Sequence, residues 1–219
     1  MIKNIEFSAY KLFKEKQSFE IKPITILIGK NSSGKSAITR LPAMLSQSLS
    51  GNNIEPLKWR IENDYDLGSE YSDLIYERLS VSELKFKLSN EKNSQFNVTL
   101  FPFDNDVKIL EWQLDNFKHL KYDIKSNNYK DLIKSKVENV DCVFKGFDLI
   151  NCNQEKVETS IISDFKFDYD FIGAYRSESK IGGYQIPSNK KEFKVGMDGS
   201  KAYDILFNDL LFECPLSYQ

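Results

Sequence analysis

The sequence predicts an α/β domain with an antiparallel β-rich section in its middle. Two observations carry that prediction. An unbroken apolar run, ITILI, leads into the glycine-rich stretch GKNSSGKS and then into a helical pattern. Further along, three alternating apolar and polar runs follow one another between residues 81 and 115. Asn/Ser/Lys-rich segments separate them, as in a meander.

The elements are justified in chain order. Ile2, Ile5 and Phe7, then Phe19 and Ile21, stand among polar residues at roughly every second place, the period of half-buried strands. Pro23 breaks the run. ITILI lacks polar alternation, as expected of a strand buried on both faces of a sheet. In SAITRLPAMLSQSL, Ile38, Leu41, Leu45 and Leu49 recur at three- and four-residue steps, the stripe of an amphipathic helix. Pro42 within it removes one helical hydrogen bond and marks a kink. Residues 50–64 read as a loop with an extended piece at LKWRI.

SELKFKLS, QFNVTLFPF and DVKILEWQL read as strands. Residues 116–139 are polar, with helical character near YKDLIKSKV. CVFKGFDLI and KVETSIIS are expected to form another strand pair, and DFKFDYDFIGAY a strand ending at its glycine. GGYQIPSNKKEFKVGMDGS reads as a loop. KAYDILFNDLLFE reads as an amphipathic helix with Ala202, Ile205, Leu206, Leu210 and Leu211 on one side. Neither internal repeats nor sustained heptads occur.

Composition narrows the function classes. The chain has 219 residues, enough for a sizeable core. Its formal net charge of −2 provides no global positive field to recruit nucleic acid. KKEFK and HLKYDIK interleave bases with aromatics but also read as solvated faces, so direct nucleic-acid binding is weakly supported. Cys142, Cys152 and Cys214 form no CxxC or Cys/His set, and the single histidine is His119. Reduced, cytosolic thiols are expected. No apolar run approaches the roughly 20 residues of a membrane-spanning helix, and the charged N-terminus is unlike a signal peptide. A cytoplasmic protein with no membrane partner is expected.

Gly29, Lys30, Asn31, Ser32, Ser33, Gly34, Lys35 and Ser36 fit G-x-x-x-x-G-K-[ST] at every fixed position. The flanking strand and helix patterns are those this phosphate-binding loop requires. Gly29 and Gly34 permit conformations that side chains resist. The loop's N–H groups form an anion-binding nest, and the helix dipole adds positive potential. Lys35 is expected to reach the β- and γ-phosphates, and the Ser36 hydroxyl to ligate Mg²⁺. The loop by itself does not choose ATP over GTP, or a kinase over an ATPase.

The N-terminal stretch resembles the ATPase heads of the SMC/RecF type, the AAA-family ATPases with an ABC-like head. AYKLFKE and ITILIGKNSSGKSAI stand where those heads carry an opening strand with an N-F-[KR]-S-F-like turn and then I-G-x-N-[SG]-[SA]-G-K-S. DLGSEYSDLIYERL is similar to an L-G-S segment of the small ATPases of that group found alone or in anti-phage defence cassettes. FIGAYRSESKIGGY and the following VGMDG are similar to that branch's Y-[IL]-G-P-x-R block and its loop. Ala174 and Ser179 depart from the usual prolines there, and Lys180 from an arginine.

The resemblance implies the N-terminal lobe of a P-loop NTPase head that binds ATP and Mg²⁺. It places Tyr10, Lys11 and Phe13 near the nucleotide and makes Arg176 a basic residue of the head. Ala37, next after the motif, is expected near the nucleotide as well. Plainer readings are a solvated strand charge for Lys11 and a surface or salt-bridge arginine for Arg176.

The implied organisation is one incomplete head domain over 1–219. Residues 1–50 carry strands, loop and helix, 81–163 the β-rich section, and 164–219 a strand, a loop and a helix. Such a head also needs a strand ending in Asp-Glu, an L-S-x-G-[EQ] signature and usually a switch histidine. The sequence contains no apolar run followed by Asp-Glu and no signature motif. In the family these lie C-terminal to the V-G-x-D-G loop, and this chain ends shortly after it. Hydrolysis is therefore expected to need a C-terminal half supplied elsewhere.

The expected partners are a second copy, the other half of the ATPase, or an effector such as a nuclease. Two alternatives stand beside this reading. One is a self-sufficient hydrolase or kinase using Asp66, Asp164, Asp168 or Asp170. The other is a degenerate interaction protein that retains the loop without using nucleotide.

Overall fold

Alternation of apolar and polar residues dominates the chain's middle, and a sheet with one buried face results. The computed structural model describes residues 1–57, 60–61, 65–66, 68, 70–79, 81–103, 106–133, 138–153, 155–157 and 160–169. They fall almost wholly in one unit, Met1–Ile61 with Asp66–Asp168. A second unit, Glu62–Tyr65 with Tyr169–Gln219, lies largely outside the described residues. The expected helix KAYDILFNDLLFE, the FIGAY and VGMDG segments and Arg176 are among those outside.

The strands are β1 Ile2–Ser8, β2 Gln17–Glu20, β3 Arg60–Ile61, β4 Tyr65–Asp66, β5 Leu84–Asn90, β6 Gln95–Phe103, β7 Asp106–Leu114, β8 Lys118–Asp123, β9 Asn128–Asp131, β10 Glu138–Val140, β11 Cys142–Lys145, β12 Asp148–Cys152 and β13 Glu155–Lys156. The helix α1 runs over Lys35–Leu49. An eight-stranded sheet takes the order β10-β9-β8-β7-β6-β5-β1-β2, with its ladders antiparallel. A second sheet has the order β11-β12-β13. The described residues are thus mostly antiparallel β-structure with one α-helix.

Bulges account for the imperfect alternation. On β7, Val107 and Ile109 are buried, then Trp112 and Leu114. The register passes from Leu100↔Ile109 to Thr99↔Glu111, which leaves Leu110 as the extra residue. One inserted residue moves the inward side chains to the other parity. β1 does the same at Lys3, so Ile2 is followed inward by Ile5 and Phe7.

The buried face gathers rings from distant segments. Phe96 lies 5.5 Å edge-on to Trp112 and 5.7 Å from Phe165. Trp112 Nε1–H donates to the Phe147 carbonyl at 2.8 Å. Gly146 and Phe147 form the β11–β12 turn, and Phe147 N–H donates to the Ser48 carbonyl at 2.7 Å in the last turn of α1. A Cβ on Gly146 would meet that carbonyl oxygen, so the turn needs glycine both for contact and for its φ of +58°. The helix keeps the stripe expected of it, with Leu41, Leu45 and Leu49 fully buried around Pro42.

Four expectations are corrected. ITILI is not a strand, and Ile24, Ile26 and Ile28 are 81%, 76% and 91% exposed. An apolar run becomes a buried strand only when neighbours flank it, and the described residues contain no segment paired with it. YKD of YKDLIKSKV belongs to β9, because Tyr129 pairs with Tyr122 and closes a hairpin that outweighs helical propensity. CVFKGFDLI is a complete hairpin, β11 and β12, whose turn residue Phe147 is buried and so looked continuous with the strands. Among the described residues of KVETSIIS only Lys156 lies in a strand, the short β13, and DFKF opens within a 3₁₀ turn, Ser163–Phe165.

Trp112→Ala is expected to cost about 3–5 kcal/mol, because a buried ring and its hydrogen bond are lost. Ile26→Ala is expected to change stability by less than about 0.5 kcal/mol despite removing an isoleucine. Urea unfolding of the two variants beside the wild type checks both. Equal losses would contradict the burial described here.

Candidate functional site: the loop before α1

The site is built from the end of β1 and the start of α1. After Ser8 the chain turns sharply through Ala9 and Lys11, both with positive φ, near 57° and 53°. Tyr10 is fully buried there, and its hydroxyl donates to the Ala37 carbonyl at 3.2 Å. Burial pushes the Tyr10 hydroxyl well above its ordinary pKa, and the Arg40 guanidinium pulls it back. The first turn of α1 is thereby fixed to the sheet.

Gly34 caps α1 in the left-handed region, with φ 89°. A Cβ at Gly34 would lie 2.5 Å from Phe13 Cζ and 2.8 Å from Leu12 Cδ2. The aromatic ring of the AYKLF turn therefore rests on the glycine itself. Phe13 is held from behind by Phe7, 5.4 Å away edge-on. Ser32 also takes positive φ, near 60°. At Gly29 a Cβ would crowd Ser33 Oγ at 2.7 Å.

Lys35 folds back over the loop, and its ammonium donates to the carbonyls of Gly29 at 2.8 Å and Lys30 at 2.5 Å. Ser36 is exposed, and its carbonyl accepts from Thr39 Oγ1 at 3.1 Å. A cavity of about 470 Å³ opens here, lined by Asn31–Ala37 with Lys11, Leu12 and Arg40. Its charged lining groups are the cations Lys11, Lys35 and Arg40, and no carboxylate lines it among the described residues.

Gly29 and Lys30 adjoin this cavity through Lys35, and Phe13 supports its floor from behind Gly34. Lys11 and Ala37 line it directly. Arg40 was not singled out by sequence reasoning. Its spacing of four from Ser36 on a helix was the available signal.

DLGSEYSDLIYERL meets the same turn. Lys11 N–H donates to the Leu74 carbonyl at 2.6 Å, Tyr76 N–H to Ala9 at 3.0 Å, and Lys11 Nζ to the Asp73 carbonyl at 2.7 Å. Tyr71 anchors the segment, because its hydroxyl donates between the carbonyls of Ser82 and Leu100 and accepts from Leu84 N–H. Two motifs some 60 residues apart in sequence are thus one structural unit.

The candidate acids lie elsewhere. Asp164 is bound by Lys92 at 2.9 Å on an exposed turn, and neither Asp164 nor Asp168 lines the cavity. The side chain of Asp66 and all of Asp170 lie outside the described residues. His119 pairs with Glu111 at 2.6 Å on β8 and β7. Among the described residues no three His, Cys, Asp or Glu side chains converge as a metal site, and no helix is long and apolar enough to cross a membrane.

No family model matches the chain, and no curated protein matches it. Among solved structures it is similar to one described as "Structural biochemistry of ATP-driven dimerization and DNA stimulated activation of SMC ATPases". The identity is 19%, over 52% of this chain and 68% of that one, with a TM-score of 0.34. A TM-score this low does not fix the fold.

Gly34→Ala is expected to cost at least about 1–2 kcal/mol, because the left-handed conformation is retained by an L-residue while the new methyl displaces Phe13. Combining it with Phe13→Ala is expected to return part of that loss, as residues in contact couple by about 0.5–3 kcal/mol. A double-mutant cycle from thermal unfolding measures it. Strict additivity would sink the contact.

Proposed function

We propose that this chain binds ATP with Mg²⁺ through Gly29–Ser36, as the N-terminal half of an SMC/RecF-like, ABC-type P-loop ATPase head. The observation that carries the reading is the cavity over the N-terminus of α1, lined by the phosphate loop and three cations, with no carboxylate among the described residues. A polyanion is the ligand such a lining favours.

The loop fits that ligand on its own chemistry. Gly34 holds a left-handed turn that no larger residue would fit, and the loop's N–H groups are free of helical partners. Lys35 is held only by exposed carbonyls, which it can exchange for phosphate oxygens. Lys11 and Arg40 offer further positive charge at the rim. Ser36 supplies a hydroxyl oxygen, the ligand type that Mg²⁺ takes with phosphate oxygens and water. Bound Mg²⁺ would neutralise phosphate charge there.

Hydrolysis, in this reading, needs a second half that brings the acidic strand and signature motif. The exposure of Ile24, Ile26 and Ile28 supports it. Among the described residues, no backbone group from Ile24 to Ile28 enters a hydrogen bond. An apolar segment whose backbone has no partner among the described residues offers a place for strands to add. The proposed partners are that second half, a second copy clamped by ATP, and an effector, in the cytoplasm.

Calorimetry of Mg-ATP against the wild type and Lys35→Ala tests the binding. Lys35→Ala is expected to lose about 1.5–3 kcal/mol, at least about tenfold in Kd. Phosphate release by the isolated chain is expected at background. A folded wild type that shows no heat and no ligand-induced rise in Tm overturns the reading.

A further inference from the structure

Cys142 opens β11 and Cys152 ends β12, and the two are direct register partners. Their Sγ atoms stand 3.4 Å apart. One place further out, Asn153 N–H donates to the Asp141 carbonyl at 2.7 Å, and Asp141 N–H to Asn153 Oδ1 at 3.0 Å. The hydrogen-bonded position is therefore 141–153, which makes 142–152 the non-hydrogen-bonded one. At such positions Cα atoms come to about 4.5 Å and side chains meet most closely. That separation falls within the roughly 4.4–6.8 Å that a disulfide spans. The sulfurs need to close by only about 1.4 Å to reach bonding distance.

We propose that Cys142 and Cys152 are a redox-active dithiol, a modification site that closes reversibly to a cross-strand disulfide under a hydroperoxide oxidant. Both residues are half-buried, and Cys142 lines a cavity of about 280 Å³ beside Tyr122, Tyr129 and Phe144, which gives a small oxidant access. One thiolate attacks a peroxide oxygen, forming a sulfenic acid as the first water leaves. The second thiol displaces the sulfenic hydroxyl as the second water, and the S–S bond forms. Two thiols lose two electrons and two protons, and hydrogen peroxide becomes two waters.

The charged surroundings bear on the rate. Burial and the facing sulfur push the Cys142 thiol up, and the Lys118 ammonium pulls it back. Lys118 is itself bound to Asp131 at 2.8 Å. Asp141 and Tyr129 are the other titratable neighbours. Closure constrains the open end of a hairpin whose other end, Gly146–Phe147, is already seated on α1. The bond therefore staples existing structure and requires no rearrangement of the turn.

The test uses the full chain carrying Cys214→Ser, so that Cys142 and Cys152 are the remaining thiols. After hydrogen peroxide, thiol titration is expected to lose both sulfhydryls together. Intact mass should fall by two hydrogens, the chain should stay monomeric on a non-reducing gel, and the Tm should rise. Dithiothreitol should reverse all of it. Adding Cys152→Ser should stop closure and leave a sulfenic acid at Cys142 that dimedone traps. Retention of both thiols, interchain dimers, or over-oxidation of one cysteine with the other intact would each overturn the proposal.

Discussion

Tyr10 is the residue on which the candidate site depends. It is buried in the turn just after β1, and it touches several segments at once. Its backbone bridges to Phe13 and to Ile75, and its hydroxyl reaches the Ala37 carbonyl in the first turn of α1. Its ring stands edge-on to Phe7 on one side and Phe86 on the other. A buried hydroxyl without a partner is costly, so the Ala37 bond sets the height of α1 against the sheet. With that height set, Phe13 falls on Gly34, and only glycine leaves room for it.

That arrangement explains why a strained turn persists. Ala9 and Lys11 both carry positive φ, a conformation that costs an L-residue about 1–2 kcal/mol. The turn is over-determined from outside. Lys11 N–H and Tyr76 N–H tie it to the segment after the 3₁₀ turn Tyr71–Asp73, and Lys11 Nζ adds a third bond. Strain of this kind clusters at functional positions, and here it delivers Lys11 and Leu12 to the lining of the cavity over the loop.

Much of the sheet was legible in the sequence. β6 and β7 coincide with QFNVTLFPF and DVKILEWQL, because period-two alternation and polar turn residues act locally. The helix was legible for the same reason. What was not legible depends on neighbours. ITILI has the composition of a central strand, yet composition cannot say whether partners flank it. CVFKGFDLI hides a hairpin because Phe147 is buried by α1 and the Trp112 indole, contacts far away in sequence. At the site, the loop motif was readable from its spacing, whereas Arg40 and the junction of Lys11 with Asp73 and Leu74 needed the fold.

The charge arrangement separates holding a polyphosphate from cleaving it. Cleavage requires a group to orient the attacking water and a carboxylate to help hold the metal. The cavity offers cations, a hydroxyl and backbone donors, and its described lining has no acid. Lys35 now rests its ammonium on two loop carbonyls at an exposed site. Binding and chemistry thus place different demands on this surface. The edge left open along Ile24–Ile28 runs directly into the loop.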